Sequence, residues 1–226
     1  MFNKLMLSLL LAFLIFSNGT MYAQQQAEKK VAAKNMVVDE SIEPADSYKL
    51  LVNGSEYEIF AGKDTELPLK LDNPKISLKL EPFKTFNYGG IYLQYPRYYT
   101  FEADLADKEA SFWNLSGKQS ILMIQKYPAE MDHKIMATML KPRFGEENTT
   151  VGECSMNLNG IVTKGSKVVA SIGGSSISQE IFSFKLNSGS LLLILQNALN
   201  EKGEPSEEGQ ILRELLTSTF KIPAAG

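Results

Sequence analysis

Few residues in this chain are of a type and spacing that could carry chemistry. His133 is the only histidine and Cys154 the only cysteine among 226 residues. A general base needs an oriented nucleophile within reach. His133 stands between Asp132 and Lys134 with no nucleophile indicated beside it, so a surface side chain is expected. One histidine and one cysteine leave no usual zinc ligand set. Cys154 has no histidine or cationic cluster near it in sequence and reads as a small buried residue rather than a reactive thiol. The G-x-S-x-G, P-loop and G-x-G-x-x-G patterns are absent. Gly173-Gly174-Ser175-Ser176 has the composition of an anion nest, but it lies between two strand-like runs and reads as a hairpin turn. Asp104, Asp107 and Glu109 lack the loop glycine and closing glutamate of a calcium hand, and read as a solvated loop. We expect no catalytic residue, no metal and no cofactor; an enzyme would rest on carboxylates alone.

The unusual feature is aromatic. Between Phe83 and Phe101 the chain places Tyr88, Tyr92, Tyr95, Tyr98 and Tyr99, with Arg97 among them. Tyrosine joins a flat apolar face to a polar tip, which suits interfaces. Tyr92, Arg97, Tyr98 and Tyr99 are therefore the candidate binding surface. The competing reading packs alternate tyrosines in the core, since strands are rich in aromatics. Asn53, Asn114 and Asn148 open N-x-[ST] sequons, which matter only in a source that glycosylates exported proteins.

The elements that must position these residues are best marked near the C-terminus. Leu191-Leu192-Leu193-Ile194-Leu195 is an apolar run too short for a membrane span and predicts a strand covered on both faces. Ser206 is the expected N-cap of a helix whose Glu207 and Glu208 face the positive dipole end. Ile211, Leu212, Leu215, Leu216 and Phe220 fall on one face, so this helix should lie on the sheet.

At the other end, Lys4 followed by the apolar stretch Leu5 to Phe16 reads as a secretory signal. Cleavage is expected after Ala23, with Gly19 as the alternative. The stretch is shorter than the roughly 20 residues a spanning helix needs, so no stable membrane anchor is expected after cleavage. Residues 24–46, rich in Gln, Ala, Lys and Glu, read as a disordered, solvated tether. The formal net charge of −3 argues against nucleic acid and anionic membranes as generic partners. The protein is expected to be exported, periplasmic or secreted.

A β-rich section follows over residues 47–84. Tyr48 to Val52 and Glu56 to Phe60 are strands joined by the Asn53-Gly54 hairpin signal. Leu67 to Leu71, with Pro68 marking a sheet edge, and Ile76 to Leu80 alternate as strands with one wet face. From residue 85 a second unit runs to 222. Thr85 to Tyr88, Ile91 to Tyr95, Phe112 to Leu115 and Ile121 to Tyr127 are strands. A helix is expected from Ala129 to about Leu140, with Ile135, Met136, Met139 and Leu140 inward and its end forced by Pro142. Val151 to Met156, Ile161 to Ile172 and Ile177 to Leu186 are further strands, with Gly165 marking a bulge. The order predicts an α+β fold: an antiparallel sheet flanked by helices, preceded by a small β-rich section.

Tyr95-Pro96 after a short strand, the strand and helix from Ile121 to Leu140, the hairpins beyond, and the ending from Leu191 to Ile222 resemble the PsbP/DcrB-like superfamily over about residues 85–222. The resemblance implies an antiparallel sheet flanked by helices in a group of accessory and binding proteins. It carries over no functional residue and selects no partner. The functional expectation is an exported, non-enzymatic accessory protein that binds another envelope or secreted protein. The alternative is a small-ligand carrier with a pocket between sheet and helix.

Overall fold

The structure, a computed structural model, describes residues 39–67, 73–106 and 110–222. The signal stretch, residues 24–38 of the tether, and the strand expected at Leu67 to Leu71 beyond its first residue lie outside these, as do Asp107 and Glu109. Three sheets are described. β1 (Ser47–Val52), β2 (Ser55–Phe60) and β3 (Ile76–Leu80) form a three-stranded antiparallel sheet in the order β2-β1-β3. β4 (Phe83–Tyr88) and β5 (Ile91–Pro96) make a hairpin of their own. The main sheet has seven antiparallel strands. They are β6 (Thr100–Asp104), β7 (Ser111–Ser116), β8 (Ser120–Tyr127), β9 (Thr149–Leu158), β10 (Ile161–Ile172), β11 (Ser175–Lys185) and β12 (Ser190–Leu199), in the order β6-β7-β8-β12-β11-β10-β9. Two helices, α1 (His133–Phe144) and α2 (Glu207–Thr219), complete a mixed α+β fold that is mostly β. Among the described residues no helix is long and apolar enough to cross a membrane.

The apolar run Leu191 to Leu195 lies in β12, between β8 and β11. Successive side chains of a strand point to opposite faces, and each face here has its own core. Leu191, Leu193 and Leu195 join Trp113, Phe182, Leu212, Leu216, Phe220 and the β4-β5 hairpin on one face. Leu192 and Ile194 join Ile181, Val168, Met136, Ala137 and Leu140 on the other. Each of these buried aliphatic side chains contributes about 1.5–3 kcal/mol by leaving water. We call these the α2 face and the α1 face.

The helices differ from expectation in phase and extent. α1 starts four residues later than the pattern suggested, because Asp132 caps it by accepting from the N–H groups of Lys134 and Ile135 at 2.8 Å. It then runs through Pro142, which stands in the last turn, and ends at Gly145 with φ 89°. Proline there forfeits one ladder bond rather than interrupting a long helix. The inward set is Met136, Ala137 and Leu140, and Ile135 turns outward, 47% exposed. In α2 Ser206 is the N-cap, accepting from Gly209 N–H at 3.1 Å. Leu212, Leu215, Leu216 and Phe220 are buried, with Ile211 at the margin of that face.

Two further expectations give way. Residues 39–46 are not a free tether: Trp113 Nε1 donates to Glu40 O at 3.0 Å, Tyr88 Oη donates to Ile42 O at 2.6 Å, and Lys84 pairs with Glu43 at 2.8 Å. Buried aromatic donors need acceptors, and this segment supplies them. In the small sheet, the apolar side of β3 is not covered, with Ile76 61% and Leu78 56% exposed.

Candidate functional site

The aromatic stretch does not form one surface. Tyr88 and Tyr95 alternate inward on the β4-β5 hairpin and are buried with Phe86, Ile91 and Leu93. Of the four candidates, Tyr99 is also buried, 2% exposed, so it leaves the proposed surface. The turn after β5 sends it under the sheet edge, with its N–H donating to Pro96 O at 3.0 Å. Tyr92 is half-buried. It exchanges backbone bonds with Lys221 (2.9 and 2.8 Å), and the Lys221 ammonium stands 5.4 Å over its ring. Thus Tyr92 belongs to the C-terminal end of α2. Arg97 and Tyr98 are exposed, and the network beneath them involves the N-terminal end of the same helix. A 13-residue helix separates those ends by about 20 Å.

At the N-terminal end a hydrogen-bond network gathers around Glu208, while the buried Asn197 Oδ1 beside Gly209 has no partner. Glu208 does more than face the helix dipole: its carboxylate accepts from the backbone N–H groups of Lys118, Gln119 and Ser120 at 3.1, 2.5 and 2.9 Å. A Cβ at Gly117 would overlap the Glu208 carboxylate and force it away from these donors. The Ser120 hydroxyl shares a short hydrogen bond with Tyr99 Oη. Tyr98 packs edge-on against Tyr99, ring centroids 5.3 Å apart, and remains 58% exposed. Burial, and then the charge of Glu208, push the pKa of Tyr98 up. Burial does the same, more strongly, for Tyr99.

At the C-terminal end the main sheet comes apart. β10 pairs with β9 from Ile161 onward but with β11 only from Gly165. Ile161 to Lys164 therefore pair on one side alone, and Ser183 to Lys185 of β11 face them across a gap. Gly165 stands at the fork. It is not a bulge, since the register runs without interruption on both sides. It is glycine because a Cβ there would strike the Ile181 carbonyl and the Phe182 ring. A cleft of about 650 Å³ occupies the opening. Leu158, Ile161, Phe184, Phe220 and Ile222 line it on the α2 face, where Phe184 and Phe220 rings lie 5.1 Å apart. His133, Val162, Lys164 and Ser183 line it on the α1 face.

His133 is accordingly not a free surface side chain. Its Nδ1 lies 2.8 Å from Ser166 Oγ, a buried hydroxyl on β10, and this contact fastens the first turn of α1 to the sheet. The serine is buried beneath the helix, and the contact holds the His133 ring in place at the cleft. Cys154 is half-buried opposite Gly165, and burial raises its pKa to about 11, which keeps it a protonated thiol. Arg213 Nη1 pairs with buried Glu180, while Nη2 donates to Ser155 O at 3.0 Å, tying α2 to β9 and β11. Gly173 and Gly174, with φ 58° and 84°, form the hairpin turn expected of them. Among the described residues no three His, Cys, Asp or Glu side chains are grouped to hold a metal.

The cleft was not read from the sequence. Its one signal was Gly165, a glycine inside a strand, which marks close backbone approach as readily as a bulge. In comparisons with known proteins, no family model matches the chain, and no curated protein is significantly similar to it.

Proposed function

We propose that this is an exported, non-enzymatic accessory protein, and that it binds another envelope or secreted protein through Arg97 and Tyr98. The observation that carries this reading is the way Tyr98 is presented. It is a solvent-exposed tyrosine beside an arginine, on a turn fixed from beneath by Tyr99, Ser120 and Glu208. Tyrosine and arginine dominate interface hot spots, and a pre-ordered anchor loses little entropy on binding. The seven-stranded antiparallel sheet with one helix on each face supports the PsbP/DcrB-like likeness of residues 85–222.

The test is the intact native mass of the processed protein from its own host, compared with Arg97→Ala and Tyr98→Ala made together. A retained protein partner that is lost in the double variant, at an unchanged urea midpoint, is the expected result. Equal retention by both forms removes this turn from the interface.

A second reading, a small-ligand carrier, has the cleft in its favour. The opening lies where β10 and β11 part, and it is lined by His133 at the start of α1 and Phe220 at the end of α2 as well as by the strands. Its volume falls within the range of about 300–1,000 Å³ usual for ligand pockets.

A further inference from the structure

The cleft is polarised, and its polarity identifies a ligand class. Directly paired residues share a face of the sheet. Ile161 lies opposite Leu158, and Thr163 opposite Met156, so both belong to the α2 face, as Phe182 does through its pairing with Gly165. Phe184 follows Phe182 on that face. Val162 and Lys164 alternate to the α1 face, where Ser166 meets His133. One opening therefore joins a mostly apolar wall, where the Lys221 ammonium is turned onto the Tyr92 ring, to a polar wall through the gap between the strands.

The polar wall carries one cation, the Lys164 ammonium. Lys164 and His133 stand there at the N-terminus of α1, the positive end of the helix dipole. The nearby carboxylate of Asp132 is occupied in capping Lys134 and Ile135. Among the described residues no aspartate or glutamate lines the cleft, although the chain is acidic overall. The apolar wall leaves Ile161 70% exposed, and Val162 at the rim is 71% exposed. Solvent exposure of two consecutive aliphatic residues beside an unfilled gap is unfavourable unless something covers them.

We propose that the β10–β11 cleft binds a single-chain anionic amphiphile of the fatty-acid class. Its hydrocarbon tail lies on Ile161, Phe184, Phe220 and Ile222, and its carboxylate meets Lys164 and His133. This rests on the carrier reading and adds to it the ligand class and the pose. No covalent step is involved. The tail replaces water on the exposed aliphatic and aromatic carbons, and the head group pairs with the Lys164 ammonium.

Sodium dodecanoate, dodecanol and dodecyltrimethylammonium are titrated calorimetrically, each in its monomeric range, into the processed chain and into Lys164→Glu and Ile161→Asp. Both substituted side chains are exposed, and equal urea midpoints verify that the variants fold. Saturable binding of dodecanoate is expected, with affinity falling about tenfold or more in each variant. The trimethylammonium compound should bind far more weakly. Dodecanol binding as tightly as dodecanoate, indifferent to Lys164→Glu, would overturn the anionic class and leave the carrier reading standing. No saturable binding of any of the three would overturn both. Protein from its own host is also weighed under native conditions. A retained carboxylic amphiphile that is lost in Lys164→Glu supports the proposal. A retained peptide in the cleft, or a dimer abolished by Ile161→Asp, would overturn it.

Discussion

The two ends of α2 meet the same sheet and differ in almost every other respect. At the N-terminal end, Glu208 satisfies three backbone donors, Ser120 and Tyr99 share their hydroxyls, and Arg97 and Tyr98 are left to solvent. At the C-terminal end, β10 leaves β11, and a cleft opens beside Phe220 and Ile222. The difference shows where this fold derives stability and where it has capacity for function. Closed hydrogen-bond networks stabilise a structure, whereas strand edges without partners and exposed aliphatics are tolerated only where they are used or covered.

The widest contrast is between Tyr99 and Ile161. Tyr99→Ala removes a buried ring and its hydroxyl from the closed end and should cost about 3–5 kcal/mol in urea unfolding. Ile161→Asp, at the open end, should change stability by only about 0.5 kcal/mol. Equal losses at both positions would show that the hairpin tip is as integral as the buried turn, and would break the comparison.

The fork itself comes next. Gly165→Ala forces a methyl group against the Ile181 carbonyl and the Phe182 ring. Overpacking of this kind costs about 1–3 kcal/mol. The strands should part further toward Val168, which amide hydrogen exchange would register as faster exchange in β10 and β11 beyond the present fork. Unchanged exchange there would mean that the glycine does not set the limit of the opening. Glu208→Ala should cost about 1–2 kcal/mol, less than the burial effects, because the released N–H groups lie near enough to the surface to find water. Its exchange signature should be confined to Lys118, Gln119 and Ser120. A response that reached β10 would mean the two ends are coupled.

The sequence displayed the closed parts of this fold better than the open one. The two-residue turn at Asn53-Gly54, with both residues at positive φ, was legible because such residues fit that geometry without strain. β12 was legible because burial on both faces demands an unbroken apolar run. Tyr99 was misread as surface because tyrosine composition does not say which side of a turn faces the core. That depends on where β6 begins, and no strand was expected over Thr100–Asp104 although its polar and apolar residues alternate. The docked segment 39–46 escaped because its bonds run from its own carbonyls and carboxylates to distant donors, and acidic residues far from their partners look solvated. The cleft escaped for a related reason. A strand that pairs on one side and not on the other has the same local pattern as one paired on both.

The last contrast concerns Cys154, across the β9–β10 ladder from Gly165. If the cleft ends at the fork, this thiol stays dry. Burial then keeps its pKa at about 11, against about 8.5 for a free thiol. At pH 8 the native protein should therefore react with iodoacetamide roughly a hundredfold more slowly than the urea-unfolded chain, since the thiolate is the nucleophile. The sign on stability follows from the same shift. The folded thiol holds its proton above the pH at which the unfolded one loses it. Its contribution is thus complete below about pH 8.5 and drains away as the pH rises toward about 11. The buried hydroxyls of Tyr95, Tyr99 and Tyr127 are shifted upward for the same reason and act in the same direction. A falling urea midpoint between pH 8 and 11, with slow alkylation at pH 8, would confine water to the cleft side of Gly165. Alkylation at the unfolded rate would carry solvent past the fork, and the open region would then extend into the core that holds α2.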